Sequence, residues 1–234
     1  LHEGKSYYLP YEHTICLSSR WNWFQKSAQL PVRELDELQE LFYWCTDNDN
    51  SLVINVPPDK TGRIREYEAL TVIELGKRLG LSANKPLPKN GTFISLLKPA
   101  AASSVFADKD VTYSASFVND GSLDSRWLAA DILAELTIDL NPAEAFNKIS
   151  IFEYKDTKNL PDGFSQIRTG RIQEYSIDIF QNGQWQAIYL STEPMGDCKV
   201  IRLPRNYKST KLRLKIRKAT APPSLYELSV IKLL

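Results

Sequence analysis

Glu12 is the first residue whose type and setting suggest chemistry. It sits in Pro10-Tyr11-Glu12-His13-Thr14, and rings that shield a carboxylic acid from water help it keep the proton that a general acid must donate. In a solvated position the same glutamate is a surface or structural residue. His13 reads as a hydrogen-bonding partner of its neighbours rather than a general base. Trp21 and Trp23 offer either flat apolar walls to a ligand or ordinary packing aromatics. Farther along, Asp120, Asp124 and Ser125 place three oxygen-bearing side chains on one loop. Hard oxygen donors so closely spaced suit a hard cation; the competing reading is an Asx turn closed by its own side chains.

Other charged groups read more plainly. Lys211, Arg213, Lys215, Arg217 and Lys218 line up near the C-terminus, yet no aromatic residue is interleaved and the formal net charge is only +1. Such a chain has no long-range field to attract nucleic acid or anionic lipid, so the run reads as the solvated face of a strand and no nucleic-acid partner is expected. Neutral ligands suit this balance. Cys16, Cys45 and Cys198 are odd in number and scattered, without a disulfide framework or metal-ligand spacing, and read as buried apolar residues. Apolar residues make up 43% and charged residues 24% of the chain, and no segment approaches the ~20 uncharged apolar residues that span a bilayer.

The elements that must position these groups change character along the 234 residues. Over residues 31–45, Leu35, Leu38, Leu41, Phe42 and Cys45 recur at three- and four-residue steps after Pro31, the pattern of an amphipathic helix. Asp47-Asn48-Asp49-Asn50 signals a turn, and Leu52-Val53-Ile54-Asn55-Val56 before Pro57-Pro58 reads as a buried parallel strand. A second helix is expected over residues 66–79 on Ala69, Leu70, Ile73 and Leu79, stopping at Gly80. Helix, buried strand, helix implies an α/β unit, yet a piece this short cannot close a barrel of eight such units. The opening Leu1 reads as a cut, with the rest of the unit expected upstream.

Between residues 82 and 106 the pattern dissolves into Pro86, Pro88, Gly91, Pro99 and an Ala/Ser run, although residues 93–97 suit a short strand. Beyond it the period becomes two, most clearly in Lys211-Leu212-Arg213-Leu214-Lys215-Ile216-Arg217. Residues 135–140, 148–151, 175–180, 185–190, 200–203 and 226–233 add strand candidates, with Gln181-Asn182-Gly183 as a hairpin turn. No helical period follows residue 106, so a β-sandwich or jelly roll is expected.

Three blocks carry a family likeness. Residues 10–23, Pro10-Tyr11-Glu12-His13-Thr14-Ile15-Cys16-Leu17-Ser18-Ser19-Arg20-Trp21-Asn22-Trp23, resemble a segment of glycoside hydrolase family 29 α-L-fucosidases. Residues 50–64, with Leu52-Val53-Ile54-Asn55-Val56-Pro57-Pro58-Asp59-Lys60-Thr61-Gly62 at their centre, are similar to that family's late barrel strand and following loop. The departures are Asn22, where the family usually has Gly between the aromatics, and Asp47-Asn48-Asp49-Asn50 in place of glycines. The later half resembles discoidin-like domains, the coagulation factor five/eight type C fold, through Asn119-Asp120-Gly121-Ser122-Leu123-Asp124-Ser125-Arg126-Trp127, Gly183-Gln184-Trp185 and Pro223-Ser224-Leu225-Tyr226-Glu227-Leu228.

The resemblance implies a multi-domain chain: a truncated C-terminal part of a (β/α)8 barrel over 1–81, a linker over 82–105, and an all-β galactose-binding-like sandwich over 106–234. Retaining glycosidases use two carboxyl groups about 5–5.5 Å apart. Glu12 falls where some family members carry the acid/base, while the nucleophilic Asp belongs upstream; Asp47, Asp49 and Asp59 are not promoted to that role. Trp21 and Trp23 would then wall the methyl group and ring face of fucose. Catalysis needs no cofactor. Asp120, Asp124, Ser125 and Glu227 are the implied ligands of a structural calcium. The implied partners are a fucosylated glycan and the upstream barrel, and the implied location is secreted or periplasmic. A sugar-binding module, and a sandwich that merely buttresses the barrel, are the alternatives.

Overall fold

The computed structural model describes residues 11–18, 31–48, 50–81, 91–159, 166–196 and 198–233. The chain forms two compact units, Leu1–Asn90 with Leu160–Gln166, and Gly91–Asn159 with Ile167–Leu234.

In the first unit, strand β1 (Glu12–Cys16) pairs in parallel with β2 (Ser51–Asn55), from Glu12 opposite Ser51 to Cys16 opposite Asn55. Helix α1 (Leu35–Thr46) makes the crossover that a parallel pair requires. It starts four residues beyond Pro31. The reason is local: Ser18 bridges Val32, and the Arg33 amide donates to the Leu17 carbonyl (2.9 Å), so residues 31–34 stay extended along the strand end. Asp36 and Glu37 in the first turn complement the helix dipole. Helix α2 (Glu66–Arg78) closes with Gly80 at φ 64°, whose amide donates to the Lys77 carbonyl while Leu81 donates to Gly76. That pair of bonds is the glycine stop expected from the sequence.

Ile15, Leu17, Leu38, Leu41, Trp44, Cys45, Leu75 and Leu79 are buried in this unit. Burial differs from expectation on the other faces. Val53 of β2 is 37% exposed, and Leu70 and Ile73 of α2 are 57% and 52% exposed, while Glu68 is buried. Among the described residues this sheet has two strands, too few to cover both faces of either element.

The second unit is a sandwich of antiparallel sheets. Its strands are β3 (Gly91–Phe93), β4 (Ala100–Ala102), β5 (Trp127–Leu128), β6 (Glu135–Asp139), β7 (Ala145–Glu153), β8 (Asp156–Asn159), β9 (Gln166–Thr169), β10 (Ile172–Gln181), β11 (Gln184–Ser191), β12 (Cys198–Lys208), β13 (Lys211–Ala219) and β14 (Ser224–Leu233). One sheet runs β11-β10-β13-β6-β4, the other β12-β7-β14-β3 with β5 beside β14; β8 and β9 pair separately. Among the described residues one 3₁₀ turn (Ala115–Asn119) interrupts the strands. Residues read as linker thus supply β3 and β4. Three-residue strands of Gly, Thr, Phe and Ala carry no legible alternation and are defined by the strands they join, β14 and β6.

The core follows the period-two pattern. Leu212, Leu214 and Ile216 of β13 are at most 3% exposed, while Arg213 pairs with Asp178 (2.6 Å) and Glu135 (2.9 Å), and Lys215 with Glu135 (2.8 Å), so the basic run is a face laced with ion pairs. Asn182 (φ 50°) and Gly183 (φ 77°) form the β10–β11 turn. Among the described residues Trp127 is the largest fully buried side chain, and its indole N–H donates to the Ser104 carbonyl (3.1 Å). Trp127→Ala is expected to cost about 3–5 kcal/mol, against about 0.5 kcal/mol or less for Leu70→Ser on the exposed face of α2. Urea unfolding of the full chain followed by circular dichroism measures both.

Candidate functional site

Glu12 opens β1, facing Ser51 in the register, and is exposed; its Oε1 accepts a hydrogen bond from the Thr14 hydroxyl (3.0 Å). The aromatic residues do not enclose it. They gather around His13, with the Tyr11 ring stacked at 6.1 Å, the Trp44 edge at 5.6 Å, and the Tyr11 hydroxyl 3.1 Å from His13 Nδ1. Their rings therefore fix His13 as a packed, hydrogen-bonded residue.

The other end of the strand pair is built differently. Leu17 donates to the Asn55 carbonyl (2.9 Å), Asn55 Nδ2 to the Ile15 carbonyl (3.3 Å), and Arg33 Nε to the Cys16 carbonyl (3.0 Å). Beyond β2, Asp59 Oδ1 accepts from the Thr61 amide (2.7 Å), the Thr61 hydroxyl (2.6 Å) and the Arg63 amide (3.1 Å). The Thr61 hydroxyl first, and then the Arg63 amide, hold the Asp59 carboxyl below the usual carboxylate range. Asp59 is thus committed to its own turn, and Asp47 caps α1. Trp21, Trp23 and Asp49 lie outside the described residues.

In the sandwich, the structure brings Asp120, Ser125 and Glu227 together. Asp120 accepts from the Ser122 amide (2.9 Å) and the Ser125 hydroxyl (2.6 Å), an Asx turn, while the next amide, Gly121, donates to Glu227 Oε2 (3.3 Å). Glu227 is 2% exposed, and Ser229 donates to its other oxygen (3.1 Å). Burial, with the Asp120 charge adding to it, pushes the Glu227 carboxyl up to about 8. Asp124 stays exposed, and no group of three acidic, His or Cys side chains is placed to hold a metal among the described residues. A calcium ion here would rest on Asp120 and Glu227, with uncharged oxygens completing its shell. The donor chemistry fits in part, because the Asp120 charge acts on the buried Glu227 carboxyl and a cation between them would relieve it.

Sequence reasoning missed a second group. Glu153, 4% exposed at the end of β7, accepts through Oε1 from the amides of Arg171 (2.6 Å) and Ile172 (2.7 Å). Burial pushes its carboxyl up to about 7 despite these bonds. A Cβ on Gly170 would meet Glu153 Oε2 at 2.4 Å, so this close approach requires glycine. Beside it, the Arg126 guanidinium lies over the rings of Tyr154 (3.9 Å) and Tyr113 (4.7 Å), and Arg171 lies 5.2 Å from Tyr154 while pairing with Asp156 through two bonds (2.8 and 2.6 Å). Tyr226 packs against Tyr154, and Phe106, 43% exposed, against Tyr113. The signal in sequence was only a Tyr or Arg beside each strand end.

Among curated proteins, α-L-fucosidase 1 of Arabidopsis thaliana is 22% identical over 231 residues, covering 94% of this chain and 41% of that protein. The similarity runs to α-L-fucosidases. The chain therefore spans about two-fifths of the curated relative's length. A Bacteroides thetaiotaomicron protein described as an α-L-fucosidase shares the fold with TM-score 0.51 and 18% identity, over 93% of this chain and 44% of that one. Chitosan-binding module 1 of a Paenibacillus sp. IK-5 chitosanase/glucanase matches 59% of this chain and 98% of the module, with TM-score 0.47 and 19% identity. No family model matches the chain.

The raised carboxyls set a pH dependence. Glu227 and Glu153 bind protons more tightly folded than at their ordinary value of 4.5. Their contribution is therefore full below that value and is lost as pH rises toward about 7 for Glu153 and about 8 for Glu227. In chelator, the melting temperature of the sandwich is expected to fall from pH 5 to pH 8, and Glu227→Gln is expected to flatten the slope. Differential scanning calorimetry of the two proteins checks both.

Proposed function

We propose that this chain is the C-terminal portion of an α-L-fucosidase that, as a complete protein, removes terminal α-L-fucose from glycans with retention of configuration. The observation that carries the reading is the sequence similarity to an α-L-fucosidase along 94% of the chain. The parallel β1–α1–β2–α2 unit supports it, because its uncovered Val53, Leu70 and Ile73 suit the later part of a (β/α)8 barrel completed upstream. In this reading the fucosylated glycan is the substrate, the nucleophilic carboxylate comes from an earlier strand, and the protein is secreted or periplasmic. No helix among the described residues is long and apolar enough to cross a membrane.

Barrel enzymes hold their chemistry at the C-terminal ends of the strands. Glu12 stands at the N-terminal end of β1, exposed, and this placement argues against its acting as the acid/base. The ends of β1 and β2 that carry Cys16 and Asn55 face the substrate in the proposed barrel, and Trp21 and Trp23, which follow β1 in sequence, line it. The sandwich is proposed to be discoidin-like, with Asp120 and Glu227 holding a structural calcium.

A second role for the sandwich is favoured by the exposed Phe106 ring at the rim of the aromatic cluster, because sugar C–H faces pack on aromatic surfaces. Loss of glycan-array binding in Phe106→Ala, with an unchanged melting temperature, is the expected result; no binding by the parent chain sinks this role.

The chain as given is expected not to turn over an aryl α-L-fucoside, because the covalent route needs both carboxyl groups. The complete protein is expected to be active, and Glu12→Gln in it to change kcat/KM by less than about 3-fold. Turnover by the chain alone above a heat-killed control overturns the fragment reading. A loss of roughly 10²-fold or more in Glu12→Gln restores Glu12 to the site. A millimolar calcium series should raise the melting temperature more toward pH 8, where Glu227 begins to give up its proton, than at pH 5; no effect of calcium or chelator removes the metal.

A further inference from the structure

Glu153 ends β7, and residues 170–172, between β9 and β10, return to lie against its carboxyl. Its two oxygens are used unequally. Oε1 accepts from the amides of Arg171 and Ile172 (2.6 and 2.7 Å). Oε2 is buried with no hydrogen-bond partner among the described residues, and the Gly170 backbone is so near that a Cβ there would meet it at 2.4 Å. A neutral carboxyl tolerates that setting far better than a carboxylate, whose charge would be buried without a donor on its second oxygen.

The segment that Glu153 holds is also the irregular end of its strand. β10 pairs with β13 in single steps from Tyr175 to Ile179, but the register shifts twice between Ile172 and Tyr175. The junction is thereby uncoupled from the centre of the sheet. Its other ties are the Arg171 guanidinium on Asp156 and on the Pro222 carbonyl (2.7 Å), the Thr220 amide on the Arg171 carbonyl (2.9 Å) and the Met195 amide on the Ile172 carbonyl (3.1 Å).

The surrounding charges are few. Lys155 on its own chain and Arg171 across the junction favour ionisation of Glu153, while Asp156 is paired with Arg171, and Arg126 acts on Asp156. Tyr175 of β10 keeps its proton, because burial pushes its hydroxyl up. β14 faces Glu153 with Leu225, and β12 pairs no farther than Cys198 opposite Phe152. Burial outweighs the two cations, so the carboxyl is pushed up to about 7.

We propose that Glu153 is a proton-operated latch on this junction. Neutral, it fastens residues 170–172 to the end of β7; ionised, it draws water to Oε2, and the segment lifts to admit it. Arg171 carries both the latched amide and the bonds to Asp156, so the start of β8 loosens with it. The sheets stay folded throughout.

Amide hydrogen exchange of the full chain, followed by NMR from pH 5 to pH 8, tests the latch. Protection factors cancel the intrinsic pH dependence of exchange. Those of the Arg171 and Ile172 amides are expected to fall by about 10-fold or more between pH 5 and pH 8, and by more than that of Leu214 at the centre of β13. Glu153→Gln should remove this extra fall, and Glu227→Gln, which removes the other raised carboxyl, should keep it. Protection at 171 and 172 that is constant with pH, or that changes only in step with Leu214, overturns the latch. So does an extra fall that survives in Glu153→Gln or vanishes in Glu227→Gln. If Glu153→Gln does not fold, the comparison of 171 and 172 with Leu214 in the parent chain decides alone.

Discussion

Parallel strands bury apolar side chains only when other strands flank them and helices cover both faces, and the two units meet this demand unequally. The sandwich closes over itself: β7, β10, β13 and β14 each have neighbours on both sides, and Trp127, Phe146 and Tyr175 fill the space between the sheets. The β1–β2 pair has one neighbour per strand among the described residues. Its register is set by Leu17 and Asn55 at one end and its core by Leu38, Leu41 and Trp44 of α1, yet Leu70 and Ile73 remain in water. An amphipathic helix with its apolar stripe uncovered is a partial solution to a burial problem, which is why the unit reads as part of a larger layer.

Within the sandwich, buried carboxylates solve a different problem. A loop that enters a sheet leaves amides without ladder partners, and each must be satisfied. Glu153 takes the amides of Arg171 and Ile172 at the start of β10, and Glu227 takes that of Gly121. Both side chains are desolvated in doing so, and burial pushes both carboxyls above the usual carboxylate range. The same economy explains Gly170: only a residue without Cβ lets the loop approach Glu153 so closely.

How much was legible in the sequence follows from whether a feature is local. The alternation of Leu212, Leu214 and Ile216 with cations is local, and so is the Asn182-Gly183 turn; both appear where the sequence places them. Helix α1 was legible as a helix, but its start was not, because the Ser18–Val32 bridge that holds residues 31–34 extended joins residues distant in sequence. Strand β4 was missed for the same reason, and the short strand expected over 93–97 falls instead at Gly91–Phe93, where β14 pairs with it. Glu12 was legible as part of a motif; the strand end on which it stands depends on strand direction, which residue type does not encode. The Glu153–Arg171 contact spans two strands with a loop between, so neither residue announced it.

The arginine–tyrosine cluster shows why a fold likeness leaves the role of a sandwich open. Arg126 donates to Ser224 (2.8 Å), and Arg171 to the Pro222 carbonyl (2.7 Å) as well as to Asp156. The two guanidinium groups therefore tie the segment before β5 and the start of β10 to the approach to β14, and the stacked Tyr154 ring fills the space between them. A group used in this way is a brace before it is a ligand contact. What remains for a sugar is the outer rim, Phe106 above all, whose ring packs against Tyr113 while the residue stays 43% exposed. Brace and binding surface thus divide the cluster between them, guanidinium groups inward and aromatic rim outward, and only the rim is free to change without loosening the loops.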